Sequence, residues 1–335
     1  MPAHPQPVLP PELLLQILGT SSRATLLRAS LVSRSWRGPA RHLLESRLSL
    51  PTSKVARSWL SVPGRKTRTR RLSLGAGLGR EECERVFETV EGVEELALMA
   101  DPATPKGKFD VRALQSKELA GLRQLHIHAP LLDIPSSEAI DLPFSLEALS
   151  CKGMYRSFPR SALCALVASS SGTLAVLDLD AYGSNPSAEA FIACLAPLSS
   201  TVTSLELHGS DRQTAALLSF LSTCTALSHF TCWEATLPVL SALSPSTKHV
   251  AIGKNFLFHG DPACEELLVR SGLLRQLNSL TFSGISSATL RAQVGGVELM
   301  QECEERGIVV EFGVEVSGRY GTFGFPTMSA WKLSA

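Results

Sequence analysis

The chain has 335 residues, 44% hydrophobic and 19% charged, the balance of a folded protein with enough apolar material for a sizeable core. Its 32 basic and 31 acidic residues leave a formal charge of +1, so no global field draws it to nucleic acid or to an anionic membrane. No apolar run approaches the roughly 18 residues needed to span a bilayer. Prolines stand among residues 1–11 where a signal peptide needs an apolar core, so a cytoplasmic and/or nuclear location is expected.

Residues 1–8 read as a flexible tail. Leu9-Pro10-Pro11-Glu12 then opens a helix: proline is tolerated in the first turn, and Glu12 complements the positive end of the helix dipole. Leu13, Leu14, Ile17 and Leu18 follow at three- and four-residue spacing, as one apolar stripe ended by Gly19. A second helix is marked by Ser21, Ser22 or Thr25 as caps and by Leu26, Leu27, Leu31 and Val32. A third segment carries Trp36, then Gly38-Pro39, then Ala40, Leu43, Leu44 and Leu48, which predicts a helix kinked or restarted after Pro39. Helices this short must bury one another or a partner.

The order Leu9-Pro10, Glu12-Leu13-Leu14, Ile17-Leu18 and Leu26 to Leu31-Val32-Ser33-Arg34-Ser35-Trp36 resembles the F-box family over residues 9–50. It departs from the usual pattern at Ser21 and Thr25. The resemblance implies a small all-α three-helix module that docks a Skp-type adaptor, and through it a cullin ubiquitin ligase. Carried over residue by residue, Leu9, Pro10, Leu13, Ile17, Leu27, Val32 and Trp36 would lie at or just under that interface, with Trp36 largely buried. The plainer reading is a helical cap that shields the first repeat of a solenoid.

Residues 51–70 read as a linker and lead-in to the first repeat. The run Arg65-Lys66-Thr67-Arg68-Thr69-Arg70-Arg71 is either a nuclear import signal, a site for an acidic partner, or a solvated connector.

From residue 71 to 312 a pattern recurs in which an apolar residue, two others, an apolar residue, one other and a further apolar residue follow in order. Examples are Val93, Leu96 and Leu98; Leu122, Leu125 and Ile127; and Leu174, Leu177 and Leu179. Ten such segments, ending with Val310 and Phe312, start 20 to 30 residues apart, the spacing of a strand plus a returning helix. Helical patterns stand between them at 82–90, 161–169, 187–195, 214–221 and 264–269. The repeats are similar to irregular leucine-rich repeats, and together with the front module to a fungal-type F-box/LRR substrate receptor. The implied fold class is α/β: a right-handed leucine-rich-repeat-like solenoid with parallel strands on its concave face. Residues 313–335, with Tyr320, Phe323, Phe325 and Trp331, read as a final cap.

In such an array the residues between the apolar positions line the concave sheet. They include His126 and His128, Lys152, then the acidic Asp178, Asp180 and Glu206, then His208, His229 and Thr231. Trp233 is the expected anchor, and a basic segment of an unknown protein substrate is the expected ligand. The plainer alternative is a solvated polar face.

Catalytic chemistry finds little support. Gly75-Ala76-Gly77-Leu78-Gly79 lies between a strand and a helix as in a nucleotide site, but Arg80 holds the position of the third glycine. His126 and His128 share a strand face yet lack a third ligand in the same register, so they read as a surface pair and no metal is expected. The eight cysteines form no Cys-x-x-Cys pair and are expected to be buried, with Cys151 and Cys232 in inward strand positions. No cofactor is expected, and the chain reads as a non-enzymatic adaptor. A protein-interaction scaffold without a link to ubiquitin, and a nucleotide-binding enzyme, stand as alternatives.

Overall fold

A computed structural model of the chain describes residues 9–19, 21, 23–100, 107–128, 130–132, 140–151, 160–180, 192–208, 215–232, 236–253, 264 and 272–313. The chain divides into a front unit that runs to Leu48 and a repeat unit, Ser49–Glu315.

The front unit holds three helices, α1 (Pro11–Gly19), α2 (Arg23–Val32) and α3 (Arg34–Glu45). The Leu14 amide donates to the Pro10 carbonyl at 3.1 Å, which sets the first turn of α1 immediately after the proline. Extended Ser33 alone separates α2 from α3. The expected break at Pro39 does not occur, for α3 runs through it. Proline costs that helix one backbone bond, and α3 is braced where it packs against both α1 and α2. Leu18, Leu26, Ala29 and Ala40 form the core, with Trp36, Leu43 and Leu44 packed partly buried against it. The Arg47 guanidinium donates to the Gly19 carbonyl at 2.5 Å and caps the end of α1.

In the repeat unit the sheet has eleven strands, one more than the sequence pattern shows. The extra strand, β1 (Arg47–Leu50), spans the division between the units, and helix α4 (Ser53–Leu60) follows it within the stretch expected as linker. Two short strands, β2 (Thr67–Arg68) and β4 (Val90–Glu91), pair separately from the main sheet. The others are β3 (Arg71–Gly75), β5 (Glu95–Met99), β6 (Gln124–His128), β7 (Ala148–Cys151) and β8 (Val176–Asp180). They continue as β9 (Ser204–His208), β10 (His229–Cys232), β11 (His249–Gly253), β12 (Ser279–Ser283) and β13 (Val309–Gly313). Each pairs with the next in parallel, the order of a solenoid in which every repeat touches only its neighbours.

The register explains why the apolar pattern works. One column runs Leu72, Leu96, Leu125, Leu149, Leu177 and Leu205, a second Leu74, Leu98, Ile127, Cys151, Leu179 and Leu207, and all of these side chains are buried. Phe230 and Cys232 continue the columns, so Cys151 and Cys232 take the inward positions expected of them. Among the helices between strands, α5 (Arg80–Thr89) and α6 (Arg160–Ser170) match the sequence reading. So do Ala215–Thr223 and the described end of the 187–195 segment, whereas 265–269 lies outside the described residues.

The cysteines need one correction. Cys164, on α6, and Cys194 are joined as a disulfide, with Cα atoms 5.4 Å apart, because the helical segments of neighbouring repeats bring them face to face. The other six are buried and belong to no disulfide. Burial pushes the Cys83 thiol up to about 12 and those of Cys224, Cys264 and Cys303 up to about 11, so they stay protonated and unreactive at neutral pH.

Candidate functional site

Two surfaces concentrate the residues singled out in the sequence, one on each unit. On the front unit, the four apolar residues expected as a single stripe of α1 divide in two. Leu14 and Leu18 point into the core, while Leu13 and Ile17 remain 44% and 52% exposed. Positions 13 and 17 and positions 14 and 18 form adjacent rows about 100° apart, and only one of them can face the small core. On α2, Leu27, Leu31 and Val32 are 50%, 78% and 69% exposed beside buried Leu26 and Ala29. Leu9 and Pro10 are exposed as well, and Trp36 is half-buried, less enclosed than expected. Leu31 was absent from the sequence-derived contact set although it lies one turn beyond Leu27.

On the repeat unit, residues at the centre of each strand form a row on the sheet face turned away from the apolar columns. Paired strands place His126 beside Ser150, Ser150 beside Asp178, and Asp178 beside Glu206. His126 and Asp178 are only 6% exposed. The Ser150 hydroxyl donates to Asp178 Oδ2 at 2.9 Å. His126 Nε2 lies 3.9 Å from Glu95 Oε1, and the Glu95 carboxylate also pairs with Arg71 at 2.7 Å. The reading of His126 and His128 as a surface pair without a carboxylate is therefore corrected. His126 is buried, and its acid comes from the next strand, a neighbour that only the register creates. Among the described residues no group of three or more potential ligands converges on a metal position. Asp180 and His208 end their strands, with side chains outside the described residues, and Lys152 and Trp233 lie outside them altogether.

Further along, His229 and His249 occupy equivalent positions on β10 and β11 and stack with ring centroids 4.4 Å apart and planes at 11°. The Ser228 hydroxyl donates its one hydrogen to the Thr203 carbonyl at 3.0 Å, so its 2.8 Å contact with His229 Nδ1 is received from the ring. Burial, and then His249, hold His229 below the usual histidine range.

The glycine loop after β3 is filled by the chain itself. A Cβ on Gly75 would stand 2.3 Å from the Pro51 carbonyl oxygen, and Ala76 and Leu78 are buried. The Gly79 amide, where a phosphate oxygen would sit in a nucleotide site, donates to Glu82 Oε2 at 3.0 Å. Arg57 bonds the same carboxylate at 2.7 Å and holds it below the usual range. The basic run before β3 is likewise engaged. Arg65 stacks 3.8 Å over Trp59, Lys66 reaches Glu91 at 3.5 Å, and Arg70 pairs with Glu94 at 2.6 Å.

Comparison with known proteins bears on the front unit. Residues 7–50 match the family model described as F-box-like. The F-box-like domain thus covers the helices that carry the exposed apolar row. No curated protein matches the chain. Similar solved structures include the leucine-rich repeat-containing protein LegL7 from Legionella pneumophila, 15% identical with a TM-score of 0.49, covering 79% of this chain and 89% of that one. Another is the Rad7 and Elc1 complex in yeast, 14% identical with a TM-score of 0.37, covering 92% of this chain and 89% of that one. The chain combines an F-box-like domain with leucine-rich-repeat-like parallel strands. No helix among the described residues is long and apolar enough to cross a membrane.

Proposed function

We propose that the chain is the substrate-recognition adaptor of a Skp-cullin-F-box type ubiquitin ligase. The F-box-like domain docks a Skp-type adaptor, the cullin is reached through that adaptor, and the repeats hold a target protein. The observation that carries this reading is the set of large apolar side chains left outside the core of an F-box-like domain, with Leu13, Ile17, Leu27 and Val32 each more than 40% exposed. Apolar area of this kind on a small helical unit marks a surface completed by another protein. Leu9, Pro10 and Leu31 extend the surface, while Trp36 supports it from beneath.

No covalent step is assigned to the chain. Holding a target near a charged ubiquitin carrier raises the effective concentration of the reacting lysine, and positioning alone then accelerates transfer. Buried, protonated thiols and a glycine loop filled by Glu82 are in keeping with that division of labour.

The test is binding of the full chain to a purified Skp-type adaptor. The intact protein should form a stable complex, and Leu13→Asp with Ile17→Asp should weaken it at least about tenfold while the melting temperature stays unchanged. Failure of the intact chain to bind, or equal binding by the variant, would remove the proposal.

A further inference from the structure

Cys164 lies on α6 and Cys194 at the described end of the 187–195 segment, one repeat further on, and the two form a disulfide with Cα atoms 5.4 Å apart. Their sequence separation of 30 takes in the rest of α6 and all of β8, so the bridge closes one whole repeat against its neighbour. Toward the preceding repeat α6 is tied by hydrogen bonds instead. The Leu146 amide donates to the Ser170 hydroxyl at 2.9 Å, and the Ser145 hydroxyl donates to the Ser169 carbonyl at 3.1 Å.

Surroundings set this pair apart from the other cysteines. Cys164 is half-buried, within reach of a small solute, whereas the six cysteines outside the bridge are buried. Burial also raises the thiols of Cys83, Cys224, Cys264 and Cys303, which withholds the thiolate that exchange requires. Nor does the fold depend on the bridge. Leu163, Leu166 and Val167 of α6 and Ile192, Leu195 and Leu198 of the next repeat are each no more than 6% exposed, and α6 packs against the turn Ala196–Leu198. That apolar packing holds the two segments together with the bridge open or closed.

We infer that Cys164 and Cys194 form a thiol–disulfide exchange site, opened by small-molecule thiols and closed by small-molecule disulfides, which sets how firmly the β8 repeat is fastened to the one after it. In opening, a small thiolate attacks the Cys164 sulfur, the bond between the two cysteines breaks, and Cys194 leaves as a thiolate that takes up a proton. A second small thiolate then attacks the sulfur of the first, which frees Cys164 as a thiol and releases one small-molecule disulfide. Two electrons pass from the small thiols to the bridge, and closing runs the same steps in reverse. The inference rests on the ligase function proposed above in one respect, the compartment: such a subunit works among small thiols, where disulfides are as a rule transient and redox-sensing.

The test equilibrates the full chain with glutathione at fixed total concentration, from wholly oxidised to wholly reduced. Each sample is quenched in acid, alkylated with N-ethylmaleimide under denaturing conditions and read by peptide mass spectrometry. Label on Cys164 and Cys194 should rise together from the oxidised end to the reduced end, while the other six cysteines are labelled at every ratio. The oxidised form should melt about 5 °C or more above the reduced form, since a cross-link of this span restricts the unfolded chain. Cys164→Ser with Cys194→Ser should melt as the reduced parent does and ignore glutathione, and should that variant fail to fold, the parent's own titration decides. A bridge that stays closed in reduced glutathione, thiols that stay apart in oxidised glutathione, or equal melting of the two forms overturns the inference. Adaptor capture is measured on the same preparations. Its failure with exchange intact removes the ligase function and leaves the site standing, because exchange is read directly, and capture without exchange removes the site alone.

Discussion

In the front unit Leu13 and Ile17 stay about half exposed one helical turn apart, whereas in the repeats Leu72, Leu96, Leu125 and Leu149 share a register column and are fully enclosed. Both regions are rich in leucine, so hydrophobicity alone does not separate them. Three short helices have too little facing area to use two apolar rows on one helix, and the second row stays exposed. A solenoid adds a new neighbour at every repeat, so each inward leucine is covered on both sides by its equivalents. In the repeats the inward leucines are therefore enclosed, while in the front unit some leucines stay at the surface.

The same substitution made in both regions gives the largest contrast. Leu177→Ala, in the fully buried column, should cost about 3 kcal/mol in urea unfolding, because it removes packed methylene groups and leaves a cavity between neighbouring repeats. Leu31→Ala, at 78% exposure, should stay within about 0.5 kcal/mol of the parent by the same measurement. Comparable costs at the two sites would end the distinction between the regions.

Gly75→Ala sharpens the comparison within the repeats. Its Cβ would stand 2.3 Å from the Pro51 carbonyl oxygen and 2.7 Å from the carbonyl carbon, both backbone atoms, so the chain must move. A loss of about 1–3 kcal/mol in the thermal or urea midpoint is expected. A neutral outcome would mean that the segment before α4 is not seated against β3.

The smallest effect concerns pH. The folded chain binds a proton at His229 less readily than the unfolded chain, whose ordinary value is 6.5, so unfolding takes up a proton in that region. Stability should be greatest above that value and decline as pH falls through it, and His229→Gln should flatten that part of the melting-temperature profile. A profile unchanged by the substitution would count against the stacked, half-buried placement of the ring.

Much of this was legible from spacing. Ten of the eleven main-sheet strands lie where the repeated apolar pattern places them, because leucine at alternate positions every 20 to 30 residues has few other ways to be buried. The front helices were legible for the same reason, but their faces were not: Leu13 and Leu14 have identical chemistry, and the geometry of α3 decides which is enclosed. Strand β1 was not expected because Leu48 reads equally well as the end of the third helix. His126 and Asp178 lie on the sheet face turned away from the apolar columns and are enclosed there, since exposure along a sheet depends on what covers it and leaves no trace in periodicity.

The amino-acid order by itself determined the two-part organisation, the F-box-like start and the in-register leucine columns, all of which follow from local spacing and the demand that apolar side chains leave water. Tertiary structure alone decided which apolar row faces outward, that Glu95 meets both Arg71 and His126, and that Cys164 meets Cys194. These are relations between residues about 20 or more positions apart. They depend on how far one repeat is displaced against the next, a distance that no single repeat encodes.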